Sequence, residues 1–466
     1  MKKLAAILFF LVLNNSLLTG QSQDYPSEKI KLLSVSNPNK DSLLGQKYGG
    51  CWGWYQEDKQ REYALIGGTN GTYFIDITNP SLPVVCDYVA GKYCNWREIK
   101  NFRNYCYVTT ECGEGLKIID MRYLPDSVHV VSTGTNVLYT SHTIWIDGNK
   151  LYCSSLRILP NANLRVGVFS LLNPEQPVFL HSTTSEFSFV GAHDLYSRHD
   201  TLYLSGGNNG IEVLKYDSIN NKFNMLGTYS GYSLQGYNHS NFLTQNGKYL
   251  IFCDEIPAAQ PIRIVDVSNL QNIQPASSFL PGPYTTPHNP YIIGNDWALI
   301  SCYEDGLQIY EIKDPYNVKR AGFFDTYTLS GIDQGYYTGD YVGNYGAYPF
   351  LPSKTIITLD MNNGAFFLDA SEAFGNIPPK KENDTTSACI TAFTIPASQY
   401  VEVLAKAQSN GKIQLFSPEG QLIYSRNFSG AFSDKINTEM LPNGFYLLKV
   451  EGEDCRSVKK ILITHK

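Results

Sequence analysis

The sequence lacks several signatures that would assign a chain to a known chemical class. Its ten cysteines include no Cys-x-x-Cys pair, which excludes a zinc-ribbon type of metal site. It has no run or stripe of basic residues and a formal net charge of −6 at pH 7, so nucleic acid is not an expected partner. A phosphate-binding loop, a dinucleotide fingerprint, a nucleophile elbow and a Ser–His–Asp order are also missing. The chemistry of the chain must therefore be inferred from its other features.

Long apolar runs are missing as well, with one exception at the N-terminus. Lys2 and Lys3 precede the apolar stretch LAAILFFLVL (4–13), and small residues follow around Thr19-Gly20-Gln21. This order predicts a secretory signal peptide over residues 1–20. The stretch is too short to span a bilayer and no later segment is apolar enough, so we expect no transmembrane segment in the mature chain.

The chain instead repeats one pattern seven times between about residue 48 and residue 374. The spacing is roughly 45–50 residues, which is typical of propeller blades. Tyr and Phe are abundant, with 33 and 23 copies against 5 Met, and aromatic residues favour strands over helices. The clearest segments of the seven copies are 63–85, 105–131, 151–180, 201–216, 249–270, 297–315 and 355–374.

Each copy divides into four short strand patterns separated by Gly, Asn, Asp and Pro turns. In the third copy the strand patterns lie at 141–147, 151–155, 165–171 and 177–183. Four antiparallel strands form one blade, and a single blade cannot bury both of its faces, so blades must stack in a ring. The sequence therefore predicts an all-β fold with a seven-bladed β-propeller over residues 29–374. The strand pattern at 29–35 is expected to complete the last blade and remove its open edge.

An aspartate ends the third strand of most copies, as in GTYFID (71–76) and GAFFLD (364–369). A carboxylate at a turn accepts backbone N–H bonds, and the position also tolerates Ser170 and Glu311. We therefore predict that this residue shapes the turn and takes no part in chemistry.

The composition changes after the last copy. Residues 375–388 are polar, charged and contain proline, which is typical of a linker. Residues 389–466 contain several short strand patterns separated by the turns SPEG, NFSG, LPNG and EGED. They are expected to form a small C-terminal β-sandwich domain.

Two segments resemble known families. The phrase CWGWYQEDKQREYALIGGTNGTYFIDITNP (51–80), followed by NWREIKNFRNYCYV (95–108), resembles the choice-of-anchor B family. That family consists of secreted bacterial proteins built from LVIVD-type propeller repeats. The resemblance covers roughly residues 45–374 and implies a propeller, but it implies no established reaction.

The C-terminal segment resembles the type IX secretion (Por-type) sorting domain of Bacteroidetes. The resemblance lies in KIQLFSPEGQLIYSRNFSG (412–430), LPNGFYLLKV (441–450) and the closing strand with Lys459 and Lys460. It covers about residues 389–466 and implies recognition by the outer-membrane export machinery, followed by release or surface attachment. The expected location is therefore secreted, extracellular or on the outer cell surface.

Four of the eight histidines occupy one position of the repeat, at the start of the innermost strand. They are His142, His193, His239 and His288. In a propeller this position lies on the face to which the connection between the second and third strands returns, so the two sets of residues converge. Histidines and carboxylates gathered on one face can ligate a divalent transition metal ion, and an open position on the ion can activate water.

Further candidates for a ligand-binding face lie either at the start of the innermost strand or in the connection between the second and third strands. They are Trp96, Arg97, Glu98, Glu111, Arg157, Glu255, Glu304 and Asp305. A long loop at 327–350 adds Tyr336 and Tyr337, whose rings and hydroxyls suit the stacking of sugars or the gripping of peptides. The alternative for that loop is a structural cover over the axial opening.

Three roles remain open for the four histidines: packing between blades, ligation of a metal ion, or direct contact with an anionic or sugar ligand. The absence of a catalytic signature favours a secreted or cell-surface binding protein that presents one loop-rich face to a glycan, peptide or protein. The alternative is a metal-dependent extracellular hydrolase with Glu111 or Glu255 as general base. A structural exoprotein without a small ligand is the third hypothesis.

The cysteines fall into two groups. Cys153, Cys253 and Cys302 lie in apolar strand patterns and are predicted to be buried as small hydrophobic residues. Export makes disulfide bonds feasible for the others, and the pairs suggested by their positions are Cys51–Cys94, Cys106–Cys112 and Cys389–Cys455.

Overall fold

The protein is all-β in a computed structural model. The structure describes residues 25–39, 45–134, 137–160, 162–187, 191–328, 342–375, 390–393, 400–405, 410–417, 421–429, 432–452, 456–463 and 465. The chain divides into two compact units, Met1–Asn376 and Ile377–Lys466. The signal peptide predicted at 1–20, most of the predicted linker at 375–388, Cys389 and Cys455 lie outside the described residues.

The first unit begins with two short strands that join sheets formed much later in the chain, β1 (Ser27–Glu28) and β2 (Lys31–Ser36). The strands that follow form antiparallel sheets of four in chain order. Sheet 1 consists of β3 (Tyr48–Gln56), β4 (Arg61–Gly68), β5 (Gly71–Asp76) and β6 (Val84–Ala90). Sheet 2 consists of β7 (Arg97–Phe102), β8 (Tyr105–Thr110), β9 (Leu116–Asp120) and β10 (His129–Gly134).

The next three sheets repeat the same order. Sheet 3 consists of β11 (Thr143–Asp147), β12 (Lys150–Ile158), β13 (Ala162–Ser170) and β14 (Val178–Ser182), followed by one turn of 3₁₀ helix at Thr183–Ser185. Sheet 4 consists of β15 (Asp194–Arg198), β16 (Thr201–Ser205), β17 (Ile211–Asp217) and β18 (Lys222–Tyr229). Sheet 5 consists of β19 (Tyr237–Leu243), β20 (Tyr249–Ile256), β21 (Ile262–Asp266) and β22 (Gln274–Phe279).

The last two sheets take up the N-terminal strands. Sheet 6 consists of β23 (Asn289–Ile293), β24 (Trp297–Ser301), β25 (Leu307–Glu311) and β26 (Lys319–Phe324), with β1 paired to β26. Sheet 7 consists of β27 (Asn344–Tyr348), β28 (Ile356–Asp360) and β29 (Gly364–Asp369), with β2 as its fourth strand. Leu32 pairs with Leu368, so the strand predicted at 29–35 does complete the last sheet. The additional pairing of β1 with sheet 6 was not expected.

The seven sheets of the described first unit are arranged in a closed cycle. The first strand of each sheet contacts the first strand of the next, and β27 contacts β3. The apolar core follows the same cycle, because each core cluster takes residues from two neighbouring sheets. Between sheets 2 and 3, for example, Ile118, Leu151 and Phe169 are fully buried together. These blade-like sheets fit a propeller, in which each sheet buries its faces against two neighbours.

The local predictions hold at the strand ends and in the core. The Asp76 carboxylate accepts the backbone N–H of Thr78 at 2.9 Å, and in sheet 3 the Ser170 hydroxyl oxygen accepts that of Leu172 at 3.3 Å. Each acceptor therefore shapes the turn after a third strand, as predicted. The three cysteines expected to be buried are so: Cys153, Cys253 and Cys302.

The disulfide pairing suggested from the sequence is wrong in the first unit. Cys94 is bonded to Cys112, whereas Cys51 and Cys106 are free thiols. Cys106 lies within β8 and its side chain points into the core between sheets 1 and 2. Cys94 and Cys112 instead lie in the connections that precede β7 and follow β8, and these come together at one end of sheet 2.

The second unit contains two sheets within its described residues. The first consists of β30 (Ile390–Phe393), β31 (Tyr400–Ala405) and β34 (Phe432–Asn437). The second consists of β32 (Asn410–Phe416), β33 (Leu422–Ser429), β35 (Gly444–Gly452) and β36 (Arg456–Ile463). Val401 and Ile436 of one sheet share a buried cluster with Ile413 and Leu448 of the other, so the two sheets are held by a common core.

Candidate functional site

Four histidines reach the centre of the first unit from one position of four successive sheets. We call them the histidine row: His142, His193, His239 and His288. In three of them the backbone N–H donates to the carbonyl oxygen of a serine in the second strand of the same sheet, at Ser154, Ser205 and Ser301. The fourth, His239, lies in β19 at a register shift of the ladder, between Asn238 and Ser240. The repeat therefore sets the same backbone position in each sheet, as its sequence predicted.

The side chains of the histidine row form a continuous series of contacts. The Nε2 atoms of His142 and His193 lie 3.0 Å apart. The ring centroids of His193 and His239 are 4.4 Å apart, and those of His239 and His288 are 4.3 Å apart. Four imidazoles from four sheets are thus gathered in one place.

A carboxylate from sheet 2 supports the first member of the row. Nδ1 of His142 donates to Oε1 of Glu111 at 2.6 Å. Glu111 follows β8, in the connection that the sequence expected on this face. The hydrogen bond from His142 lowers the pKa of Glu111, so this carboxylate is ionised at neutral pH.

The other three histidines are held in their neutral form. Burial, together with the nearby imidazoles, lowers the pKa of His193 far below its ordinary value. Burial is also the main reason why the pKa of His239 and that of His288 fall to about 3. Neutral imidazoles present lone pairs, which suits metal ligation and does not suit the charge-based binding of an anion.

A carboxylate lies among the last two histidines of the row. His239, Glu255 and His288 are buried, and one ligand atom from each lies within 4.8 Å of those of the other two. Nε2 of His239 is 3.8 Å from Oε2 of Glu255, while the other oxygen, Oε1, accepts a hydrogen bond from the Tyr303 hydroxyl at 2.6 Å. Two imidazoles and a carboxylate form a donor set of the kind that binds zinc and other divalent transition metals.

The ring orientation of His288 is fixed from outside this group. Its Nδ1 donates to the backbone carbonyl oxygen of Tyr345 at 2.6 Å, which leaves the lone pair on Nε2. Metal-ligating histidines commonly donate their second nitrogen in this way. The Tyr345 ring extends the row, since its centroid lies 4.9 Å from that of His288 and 5.8 Å from that of Trp96.

A cavity of about 60 Å³ borders the row and is large enough for water. Its polar lining includes His142, His239, Glu98, Lys100 and Asp194. Lys100 pairs with Glu98 and lies 4.2 Å from the ring centroid of Trp52. Burial, and then the charge of Glu98, raises the pKa of Asp194 to about 6. Of the predicted candidates, His142, His239 and Glu98 therefore face this cavity.

Arg97 is separated from the row by its own hydrogen bonds. Its side chain is 1% exposed, and all three guanidinium nitrogens are bonded within the protein. Nε donates to the carbonyl of Gly68 at 3.0 Å, Nη2 to that of Lys92 at 2.7 Å, and Nη1 pairs with Glu114 at 3.1 Å. These bonds join sheets 1 and 2, so its surroundings are those of a structural residue.

The remaining candidates lie in three different settings. Arg157 is exposed at the end of β12, with its guanidinium 5.3 Å from the ring centroid of Tyr139. Glu304 and Asp305 are buried in the connection that follows Tyr303. Two further candidates, Tyr336 and Tyr337, lie outside the described residues.

Three tyrosines beside the row were not singled out from the sequence. They are Tyr237, Tyr303 and Tyr345. The Tyr237 hydroxyl lies 3.0 Å from Nδ1 of His193. Tyr345 had a detectable signal, because it occupies the position in the seventh copy at which four other copies have histidine. The contacts of Tyr237 and Tyr303 depend on how neighbouring sheets pack, and residue spacing in the sequence does not predict that packing.

The C-terminal residues have a family match. Residues 392–464 match the secretion system C-terminal sorting domain. This domain marks proteins that the type IX system exports to the cell surface or the extracellular space. The chain is therefore exported by that route, as its sequence indicated. Within the described parts of the chain, no helix has the length and apolar character that a membrane span requires.

The solved structures that resemble this chain match it with low sequence identity and low TM-scores. PorZ, a surface component of the type IX secretion system of Porphyromonas gingivalis, matches with 9% identity and a TM-score of 0.46 over 91% of this chain. The chain spans 60% of the length of PorZ. Sqt1 of Saccharomyces cerevisiae matches with 10% identity and a TM-score of 0.46, over 70% of this chain and 96% of its own. No curated protein matches the sequence significantly.

Proposed function

We propose that this chain is an exported metal-binding protein whose axial face holds a divalent transition metal ion and presents it to an extracellular ligand. The proposal includes a seven-bladed β-propeller of the choice-of-anchor B type, followed by a β-sandwich sorting domain. The closed cycle of seven sheets supports the propeller, and the common core of the two C-terminal sheets supports the sandwich. Glycans, peptides and proteins remain the candidate ligands of the loop-rich face.

The observation that carries the metal site is the cluster of His239, Glu255 and His288. The cluster brings two imidazoles, each with its pKa lowered to about 3, and one carboxylate together in a buried place, with a ligand atom of each within 4.8 Å of those of the other two. A divalent transition metal ion accepts the lone pairs of such a donor set. Packing between blades, the plainest alternative, requires neither an acid at this position nor the imidazole orientation that Tyr345 imposes on His288.

The direct test is the metal content of the purified full-length protein. We expect at least one equivalent of transition metal per chain, and one equivalent fewer in His239→Ala and in Glu255→Gln. His199→Asn is the matched control, because His199 is exposed, and asparagine tolerates its positive φ of 54°. Calorimetric titration with Zn²⁺ after chelation measures the same site as an affinity.

Either of two results would contradict the metal site. One is a wild-type protein that neither contains metal nor binds Zn²⁺ while retaining its far-UV circular dichroism. The other is metal that survives His239→Ala, Glu255→Gln and His288→Ala alike. In the first case the histidine row would pack blades together, and the search for ligands would turn to the outer loops. In the second case the metal would be held elsewhere, and His239, Glu255 and His288 would not be its ligands.

A metal-dependent hydrolase is the second candidate. The observation that favours it is the donor count: two histidines and one carboxylate leave an open position for water, as in catalytic zinc sites. With Glu255 as a ligand, the role of general base falls to Glu111, which is ionised and has a side chain that is 43% exposed.

The hydrolase is tested with chromogenic esters, phosphoesters and glycosides, comparing the chelated protein with the same protein reloaded with Zn²⁺. Turnover that returns with the metal and falls at least 100-fold in Glu111→Gln would support it. Saturable binding of a glycan or peptide without turnover of any substrate would favour the binding protein.

A further inference from the structure

The first half of the histidine row contains a second pair of metal-type donors. His142 and His193 face each other through their Nε2 atoms at 3.0 Å, and neither belongs to the cluster of His239, Glu255 and His288. The Nδ1 atom of each ring is hydrogen-bonded to another side chain, that of His142 to Glu111 and that of His193 to the Tyr237 hydroxyl. The open question is which of the two Nε2 atoms carries a proton.

Counting protons gives two states for this pair. Nδ1 of His142 donates to Glu111, so in the neutral ring the Nε2 atom carries a lone pair. His193 can then donate from Nε2 to His142 while Tyr237 donates its hydroxyl proton to Nδ1 of His193. In the other tautomer His193 donates from Nδ1 to Tyr237, and two lone pairs face each other. That second state is favourable only when a positive charge lies between the rings, either as a proton on Nε2 of His142 or as a metal ion.

The separation of the two nitrogens suits a shared ion. Metal–nitrogen bonds to histidine are about 2.0–2.1 Å, so two such ligands on one ion lie about 3.0–3.4 Å apart. The observed 3.0 Å is within this range. Only the proton on His193 has to move from one ring nitrogen to the other, since the phenol oxygen of Tyr237 accepts as well as donates.

We propose that His142 and His193 bind a second divalent transition metal ion, next to the one held by His239, Glu255 and His288. This inference rests on the proposed function, because it adds a second metal position to the histidine row, next to the position proposed above. His193 and His239 are in ring contact at 4.4 Å, so the two ions are neighbours. Water or an extracellular ligand completes the coordination of the second ion.

Residues behind the ligands support this assignment. Glu111 and the Tyr237 hydroxyl each contact the nitrogen that does not face the ion, in the manner of the carboxylates and polar groups that orient metal-bound histidines. Loss of such a group commonly lowers metal affinity 10- to 100-fold. The Tyr237 hydroxyl is hydrogen-bonded to His193, whereas the hydroxyl that bonds Glu255 belongs to Tyr303, so the two positions can be perturbed separately.

The test uses the full-length protein, stripped with chelator and titrated with Cu²⁺. We expect two equivalents per chain, and electron paramagnetic resonance should show an isolated copper signal at one equivalent that broadens or is lost at two. Tyr237→Phe should weaken the second equivalent at least 10-fold and leave the first unchanged. His142→Ala should remove the second equivalent altogether.

The outcomes separate this inference from the function on which it rests. One equivalent, lost in His239→Ala but retained in His142→Ala and Tyr237→Phe, keeps the proposed function and overturns the second site. The pair would then be an N–H···N hydrogen bond only. No bound Cu²⁺ overturns both. If His142→Ala does not fold, as judged by circular dichroism, Tyr237→Phe alone decides, because it keeps the ring and removes one oxygen.

Discussion

Cys112, which is disulfide-bonded to Cys94, directly follows Glu111 in the chain. The bond closes the connection after β8 onto the connection before β7. It therefore fixes the backbone next to the carboxylate that accepts the hydrogen bond of His142. Export to an oxidising compartment allows this bond to persist.

Replacing both cysteines with serine should destabilise the first unit. The bond closes a loop with a sequence separation of 18, for which about 2–4 kcal/mol of unfolding free energy is typical. The measurement is urea denaturation of the double variant beside Cys86→Ser, a control at a free and partly exposed thiol. Equal midpoints for the two variants would show that sheet packing alone holds this loop.

Arg97→Lys should destabilise the protein without changing its metal content. Lysine keeps the charge but loses the fork that bonds Gly68, Lys92 and Glu114 together, so it cannot replace all three hydrogen bonds. We expect a loss on the order of 3 kcal/mol in the free energy of unfolding. Arg157→Lys, at an exposed position, should cost less than about 0.5 kcal/mol.

That comparison also tests the role of Arg97. If Arg97→Lys left the unfolding free energy unchanged but weakened the binding of a glycan or peptide ligand, the arginine would belong to the ligand face that its sequence position suggested.

Glu212 in β17 should make stability fall as pH rises. Burial raises the pKa of this carboxyl from 4.5 to about 7 in the folded protein. The unfolded chain therefore ionises first, and stability decreases from about pH 4.5 until the folded group has titrated near pH 7. Glu212→Gln removes this loss while its amide oxygen can still accept the N–H of Gly191.

The variant should match the wild type near pH 4 and exceed it by on the order of 1–3 kcal/mol at pH 8. Urea denaturation at both pH values measures the difference. A difference that is the same at both pH values would mean that the effect comes from packing or hydrogen bonding and not from ionisation.

The fold could be predicted from the sequence because the same pattern of strands and turns recurs along the chain. Each copy carries a four-strand pattern with turn residues, and the short segment at Lys31–Ser36 had no partner except the incomplete last copy. The histidine row could be located for the same reason, since four of eight histidines stand at one position of the repeat. Its role in metal binding stays a prediction.

The features that could not be predicted from the sequence depend on contacts between sheets. Arg97 occupies the repeat position next to the row, yet its side chain turns toward Gly68 and Glu114. The pairing of Cys94 with Cys112 follows from the meeting of two connections at one end of sheet 2, which spacing alone does not report. Tyr303 reaches Glu255 across the boundary between sheets 5 and 6.

Tyr303→Phe provides the most selective test of the buried carboxylate. The Tyr303 hydroxyl donates to Oε1 of Glu255 at 2.6 Å and so orients the other oxygen, Oε2, toward His239. Without that bond Glu255 is less well placed as a ligand, and affinity for Zn²⁺ at this position should fall about 10- to 100-fold. Calorimetric titration measures the change.

Tyr237→Phe is the matched control, because it removes a hydroxyl that is hydrogen-bonded to His193 and leaves the Tyr303 hydroxyl bonded to Glu255. The two variants should therefore affect different metal equivalents. If Tyr303→Phe left every affinity unchanged while Glu255→Gln abolished binding, the tyrosine would serve only to satisfy a buried oxygen. If neither changed metal binding, Glu255 would not be a ligand, because a carboxylate that coordinates the ion cannot be exchanged for an amide without a loss of affinity.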